Sequence, residues 1–165
     1  MLSGRITDKM MFVAIYSAVV ILVVIQGGRH MTNYVLDAAF YNDYLMPWKL
    51  QLIAMRHQNA SWPEVIPHNP GAYMQSLMAA MHTAGLTPPK SNTSKCWLYR
   101  LNQFGEAAQQ VLIVGTLENI VLYNLPATTF NRLDRFIDDE TDATAGHFTG
   151  QWSTDGVTRI GYWKF

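Results

Sequence analysis

MMFVAIYSAVVILVVI, residues Met10 to Ile25, carries no charge. With Gln26, Gly27 and Gly28 the uncharged run reaches 19 residues. As a helix it spans about 28 Å, close to the hydrocarbon thickness of a bilayer. A core helix of that length keeps a polar face. Here Tyr16, Ser17 and Gln26 are the polar residues, so the segment reads as an uncleaved membrane anchor. Two other readings compete. A cleaved secretory signal has a shorter apolar region and a small-x-small cleavage pair, and none follows this run. A helix buried in a soluble globule is the third reading. Arg5 and Lys9 precede the span, while Asp37 and Asp43 follow Arg29 and His30. This asymmetry leans toward a cytoplasmic N-terminus and a domain on the far side.

Past Gly28 the pattern changes while helical spacing continues. Met31, Tyr34, Val35, Ala38, Ala39, Tyr41, Tyr44, Leu45, Trp48, Leu52, Ile53 and Met55 recur mostly at steps of three and four, as one buried stripe would. Thr32, Asn33, Asp37, Asn42, Asp43, Lys49, Gln51 and Arg56 are assigned to the other side. Pro47 lacks a backbone donor and is expected to kink or interrupt the rod, which runs from about Lys9 to about Gln58. Asn59 to Gly71 holds Pro63, Pro67 and Pro70 and reads as a loop. A helix over Ala72–Ala84 follows, capped by Gly85 and stopped by Pro88-Pro89.

The second half turns to strands. Cys96–Leu101, Val111–Val114 and Ile120–Tyr123 predict an antiparallel meander. A helix begins at Pro126, with Thr129, Phe130, Leu133, Phe136 and Ile137 as its apolar face and Arg132 and Arg135 as its wet one. His147–Ser153 and Val157–Phe165 form a hairpin through Thr154-Asp155-Gly156. The expected fold is α+β: a long N-terminal helix, transmembrane and then amphipathic, packed on a four- to five-stranded antiparallel sheet. The expected divisions are a leader or cytoplasmic segment at 1–9, the span at 10–28, its amphipathic continuation at 29–58, and an extracytoplasmic domain at 59–165.

Among 165 residues, 12 basic side chains balance 12 acidic ones, so the footprint of a nucleic-acid binder is missing. Cys96 is the one cysteine, which excludes an internal disulfide and any site built from several thiolates. It is read as a buried, inert thiol. No histidine pair has metal-ligand spacing, and no nucleophile–base signature is readable, so no catalytic residue and no cofactor are assigned. The best polar constellation is acidic: Asp138, Asp139 and Asp142 offer hard oxygen ligands that suit calcium, set against a plain solvated loop. Asn59-Ala60-Ser61 and Asn92-Thr93-Ser94 match glycosylation sequons, which matter in a eukaryotic source alone.

A long helix that is apolar first and amphipathic second, broken by Pro47 and followed by a loop and an antiparallel sheet, resembles a type IV pilin or a type II secretion pseudopilin. The stretch from Leu125-Pro126 to Asp138-Asp139, with Gly146 after it, is similar to the late segment of some minor pilin-like proteins. The resemblance implies processing between Gly4 and Arg5 and an assembly role for Asp8, which would pair with a neighbour's terminal amine inside a helical bundle. Arg5 stands where the family has Phe or Met, Asp8 lies one residue ahead of the family's glutamate, and a disulfide loop cannot form. The implied member is therefore a minor or atypical one, held in the inner membrane with its C-terminal domain periplasmic or extracellular. Its expected partners are lipid and other pilin-like subunits. The competing expectation is an anchored accessory protein that binds a partner in an envelope complex. Met74, Met78 and Met81 would be its adaptable surface. An anchored enzyme is the remaining reading.

Overall fold

The structure, a computed structural model, describes residues 3–66 and 68–165, with side chains from Lys9 onward. Helix α1 (Ser3–Ala39) passes into a π-helical turn (Phe40–Leu45) and on into α2 (Met46–His57) without a break. From Lys9 to His57 the rod has 49 residues, about 74 Å at the helical rise. Among the described residues it is the one helix long and apolar enough to cross a membrane. Every residue from 10 to 28 is exposed.

Pro47 does not break the rod. It sits where the π-helical turn passes into α2, so its missing N–H falls at a change of hydrogen-bond register. The turn before it is widened, and the Met46 N–H reaches back five residues to the Tyr41 carbonyl. That wider turn relieves the clash a proline ring makes with the carbonyl four residues back. The expected interruption is thus a change of hydrogen-bond register rather than a kink. The turn also lets Tyr44 and Leu45, adjacent in sequence, both enter the core.

Helix α3 (Pro70–Thr83) starts at Asn69, whose side chain accepts from the Ala72 N–H at 3.0 Å. Strands β1 (Leu98–Leu101), β2 (Gln109–Gly115) and β3 (Asn119–Pro126) form the expected meander. Helix α4 (Ala127–Asp138) leads to β4 (Phe148–Trp152) and β5 (Thr158–Lys164). The five strands are all antiparallel in the order β1-β2-β3-β5-β4, so β5 lies inside the sheet and β4 at its edge. The α+β class and the helix-on-sheet arrangement are as the sequence predicts.

One face of the sheet meets the rod. Phe40, Tyr44, Trp48, Leu52 and Met55 are fully or almost fully buried together with Val111, Ile113, Ile120, Leu122 and Trp163. The Tyr99 ring lies 4.7 Å from both Phe40 and Tyr44. Gly115 is required by this approach, because a Cβ there would come within 2.8 Å of Leu52. Both sheet edges are blocked, as soluble sheets need to be. Along β1, Asn92 accepts from the Arg100 N–H and donates to its carbonyl, each at 2.8 Å. Along β4, the Phe148 N–H donates to Asp138 and the Gly150 N–H to the Ala143 carbonyl.

Candidate functional site

The region with the densest buried polar chemistry lies where the apolar part of the rod gives way to the globular head. Asn33 and Asp37 stand one turn apart on α1, on the face that Phe40, Tyr44 and Trp48 continue into the core. Asp37 is 0% exposed, and Asn33 is buried as well. Met31 and Val35, expected inside, are 72% and 63% exposed. The polar and apolar sides of this one stretch are therefore exchanged relative to the sequence reading. The exchange has a physical cause: the head supplies partners for both polar groups, while the exposed apolar side chains continue the bare surface of residues 10–28.

The partners come from α4 and from the β1–β2 connection. Asp37 Oδ2 accepts from Arg132 at 2.5 Å. Its Oδ1 accepts from the Thr129 hydroxyl at 3.0 Å, and Gln103 Nε2 lies at 3.5 Å. Gln103 also bonds Thr129 at 2.5 Å. Arg132, read from sequence as solvated, is thus an inward-turned partner. Asn33 Oδ1 accepts from the Phe104 N–H at 2.6 Å, and Arg29 pairs with Glu106 at 2.8 Å. Rings complete the contact: Phe136 of α4 lies 5.3 Å from Tyr34 and 5.7 Å from Tyr41. The carboxylate is fully buried, and its second oxygen is met by the Thr129 hydroxyl and the Gln103 amide, while the Arg132 side chain keeps 15% exposure. Chemically the cluster can fix and orient. It holds the rod and the head in one register. A small cavity of about 220 Å³ opens beside it, lined by Gln26, Arg29, His30 and Arg132 among others.

In the acidic loop each carboxylate has its own surroundings. Asp138 accepts from the His147 and Phe148 N–H groups at 2.9 and 2.7 Å. Asp142 accepts from the Thr144 N–H and hydroxyl. Asp139 is the left-handed residue that ends α4. Asp138 and Asp142 do share the lining of a cavity of about 130 Å³, and Asp139 does not. Among the described residues no three His, Cys, Asp or Glu side chains are grouped to hold a metal ion. The member of this cluster that sequence reasoning missed is Asp134, 1% exposed on α4, with one carboxylate oxygen unpartnered. Burial raises its pKa to about 6, repulsion by Asp138 and Asp142 adds to the rise, and Arg159 opposes it.

The other assigned residues fall as follows. Cys96 is a half-buried free thiol, 3.3 Å from the Met78 sulfur, and burial pushes its pKa up. Met74 and Met81 are core residues, which leaves Met78 at the margin of the core. The side chains of Gly4, Arg5 and Asp8 lie outside the described residues. An apolar groove of about 480 Å³ lies between the Val65-Ile66 loop and the outer sheet residues Leu112, Val114 and Tyr123. No family model matches this chain, and neither a curated protein nor a solved structure matches it.

Proposed function

We propose that this chain is a non-enzymatic, pilin-like subunit of an envelope assembly, a minor component of a type IV pilus or a type II secretion-like machine. The observation that carries the reading is the division of labour along one unbroken helix. Its residues 10–28 are exposed on every side, and its continuation from Phe40 to Met55 is the spine of the head. A helix left bare and uncharged on all faces needs an apolar surrounding, which lipid or a bundle of like helices supplies equally well. A subunit can therefore rest in the inner membrane, with its head on the periplasmic side, and later move into a helical bundle. The buried Asp37–Arg132 pair supports this use, because movement of the rod then carries the head with it.

Crosslinking tests the proposal. With Cys96→Ser as background, single cysteines at Val13, Val20 and Val24 are oxidised in native membranes. Adducts between copies of this chain, periodic along the helix, are expected. If every adduct joins the chain to one unrelated protein, the filament reading is lost. That outcome would favour a fixed accessory subunit, the second reading. Its support is the apolar groove at Val65 and Ile66, where a partner segment could lie.

A further inference from the structure

Contacts with the rod move away from the apolar span from one end of the sheet to the other: Phe104 meets Asn33, Cys96 meets Tyr44, Gly115 meets Leu52 and Phe165 meets Arg56, so the sheet has an end near the span and an end far from it. Phe104 and Glu106 of the β1–β2 loop bond Asn33 and Arg29, which places that loop at the first turns after Gly28. The β4–β5 hairpin belongs to the same end. Gln109 at the start of β2 pairs with Leu101, whereas Pro126 at the end of β3 pairs with Thr158 at the start of β5. The opposite strand ends, Gly115 and Trp163, flank Ile120. The near end carries three exposed apolar side chains: Phe104 at 59%, Trp152 at 54% and Val157 at 72%. Cations accompany them. Arg159 stacks 4.4 Å over Trp152, and Arg29 and His30 line the small cavity beside the loop.

We infer that this end of the head is a second membrane contact, resting on the headgroup layer of the bilayer that the helix enters. The inference rests on the anchor reading of residues 10–28. The heights agree. Residues 29–33 rise roughly 2–8 Å above the end of the span, and the headgroup layer is about 5–7 Å deep. Aromatic rings with neighbouring Arg or His suit that layer, the rings at the acyl boundary and the cations at lipid phosphate. A head tied to the rod by Asp37 and pressed on the bilayer at its rim keeps one tilt. The tie alone would leave it free to lean with the helix.

Site-directed spin labelling in vesicles of phosphatidylethanolamine and phosphatidylglycerol tests this on the full chain with Cys96→Ser. Labels are placed singly at Val19→Cys, Ala107→Cys and Leu117→Cys, and collisions with oxygen and with a water-soluble nickel chelate are compared. Val19 is expected to read hydrocarbon and Leu117, at the far end, to read water. The label at Ala107 should meet the chelate several-fold less often than the one at Leu117. Phe104→Asp with Trp152→Asp should raise the Ala107 value to that of Leu117 while the far-UV spectrum holds. Equal values at Ala107 and Leu117 in the unaltered head, with Val19 in hydrocarbon, would overturn the rim contact and leave the anchor standing. A water reading at Val19 would overturn both.

Discussion

Two buried carboxylates on neighbouring helices have opposite fates, and the difference is their partners. Asp37 has Arg132 and Thr129 as partners and ties α1 to α4. Asp37→Ala leaves Arg132 and Gln103 without that acceptor, and losing one member of a buried pair costs about 3 kcal/mol. Urea unfolding of the detergent-solubilised chain should register this loss. The double replacement Asp37→Leu with Arg132→Met should recover most of it, since no uncompensated charge remains. Asp134 has an unpartnered oxygen and two acidic neighbours, and its pKa in the fold is raised to about 6 from an ordinary 3.8. Between those values the folded state holds a proton that the unfolded chain has released. Stability therefore falls as pH rises from about 4 through 6, the reverse of the usual carboxylate trend. Asp134→Asn should abolish that fall and raise the melting temperature at pH 7.5, with little change at pH 4. Equal gains at both pH values would assign the effect to packing instead. Asp142 works the other way: Thr144 holds its pKa below the ordinary value, so its contribution is lost only in stronger acid.

At the scale of elements, the rod is where sequence and structure part company most usefully. Its apolar half and the continuation through Tyr44, Trp48, Leu52 and Met55 were legible, because spacing of three and four residues reports burial directly. Asn33 and Asp37 were not, because a pattern of apolar residues has no means of marking a polar side chain that is buried with its partner. Their spacing to Phe40 and Tyr44 is the signal that could have found them, since 33, 37, 40 and 44 share one helical face. Pro47 was legible as a disturbance, but not as a π turn, whose wider register depends on the Tyr44 and Leu45 seats in the head. This makes a discriminating prediction. A proline inside an ordinary α-helix costs about 3 kcal/mol relative to alanine. Here the strain is absorbed, so Pro47→Ala should gain under about 1 kcal/mol by thermal melting. A gain near the full cost would mean the π turn is a strained response to proline rather than a fit to the core.

The sheet could be read from turns and apolar runs up to the choice of which hairpin strand adjoins β3, a choice made by packing. Strand β5 brings buried Trp163 to the rod's side and half-buried Ile160 and Tyr162 to the other, while β4 ends in exposed Gln151 and Trp152. A strand covered on both faces belongs inside the sheet, and one with exposed residues belongs at the edge. The same reasoning separates the molecule into two parts. The head's core draws on residues from Phe40 onward and its polar tie begins at Arg29, whereas residues 10–28 are exposed throughout. Folding of the head therefore owes almost nothing to the apolar span. A fragment of residues 29–165 should fold without detergent, keep the Asp37–Arg132 pair, and melt within a few degrees of the full chain, because no buried contact is removed with the span. Calorimetry and sedimentation of the fragment check this. Met31 and Val35 remain bare on it, so weak, concentration-dependent self-association is expected and should weaken with Met31→Ser and Val35→Ser. A fragment that collapses into a molten state would instead mean that the span packs on the head, and the picture of a rod whose lower half seeks its partners outside its own chain would fail with it.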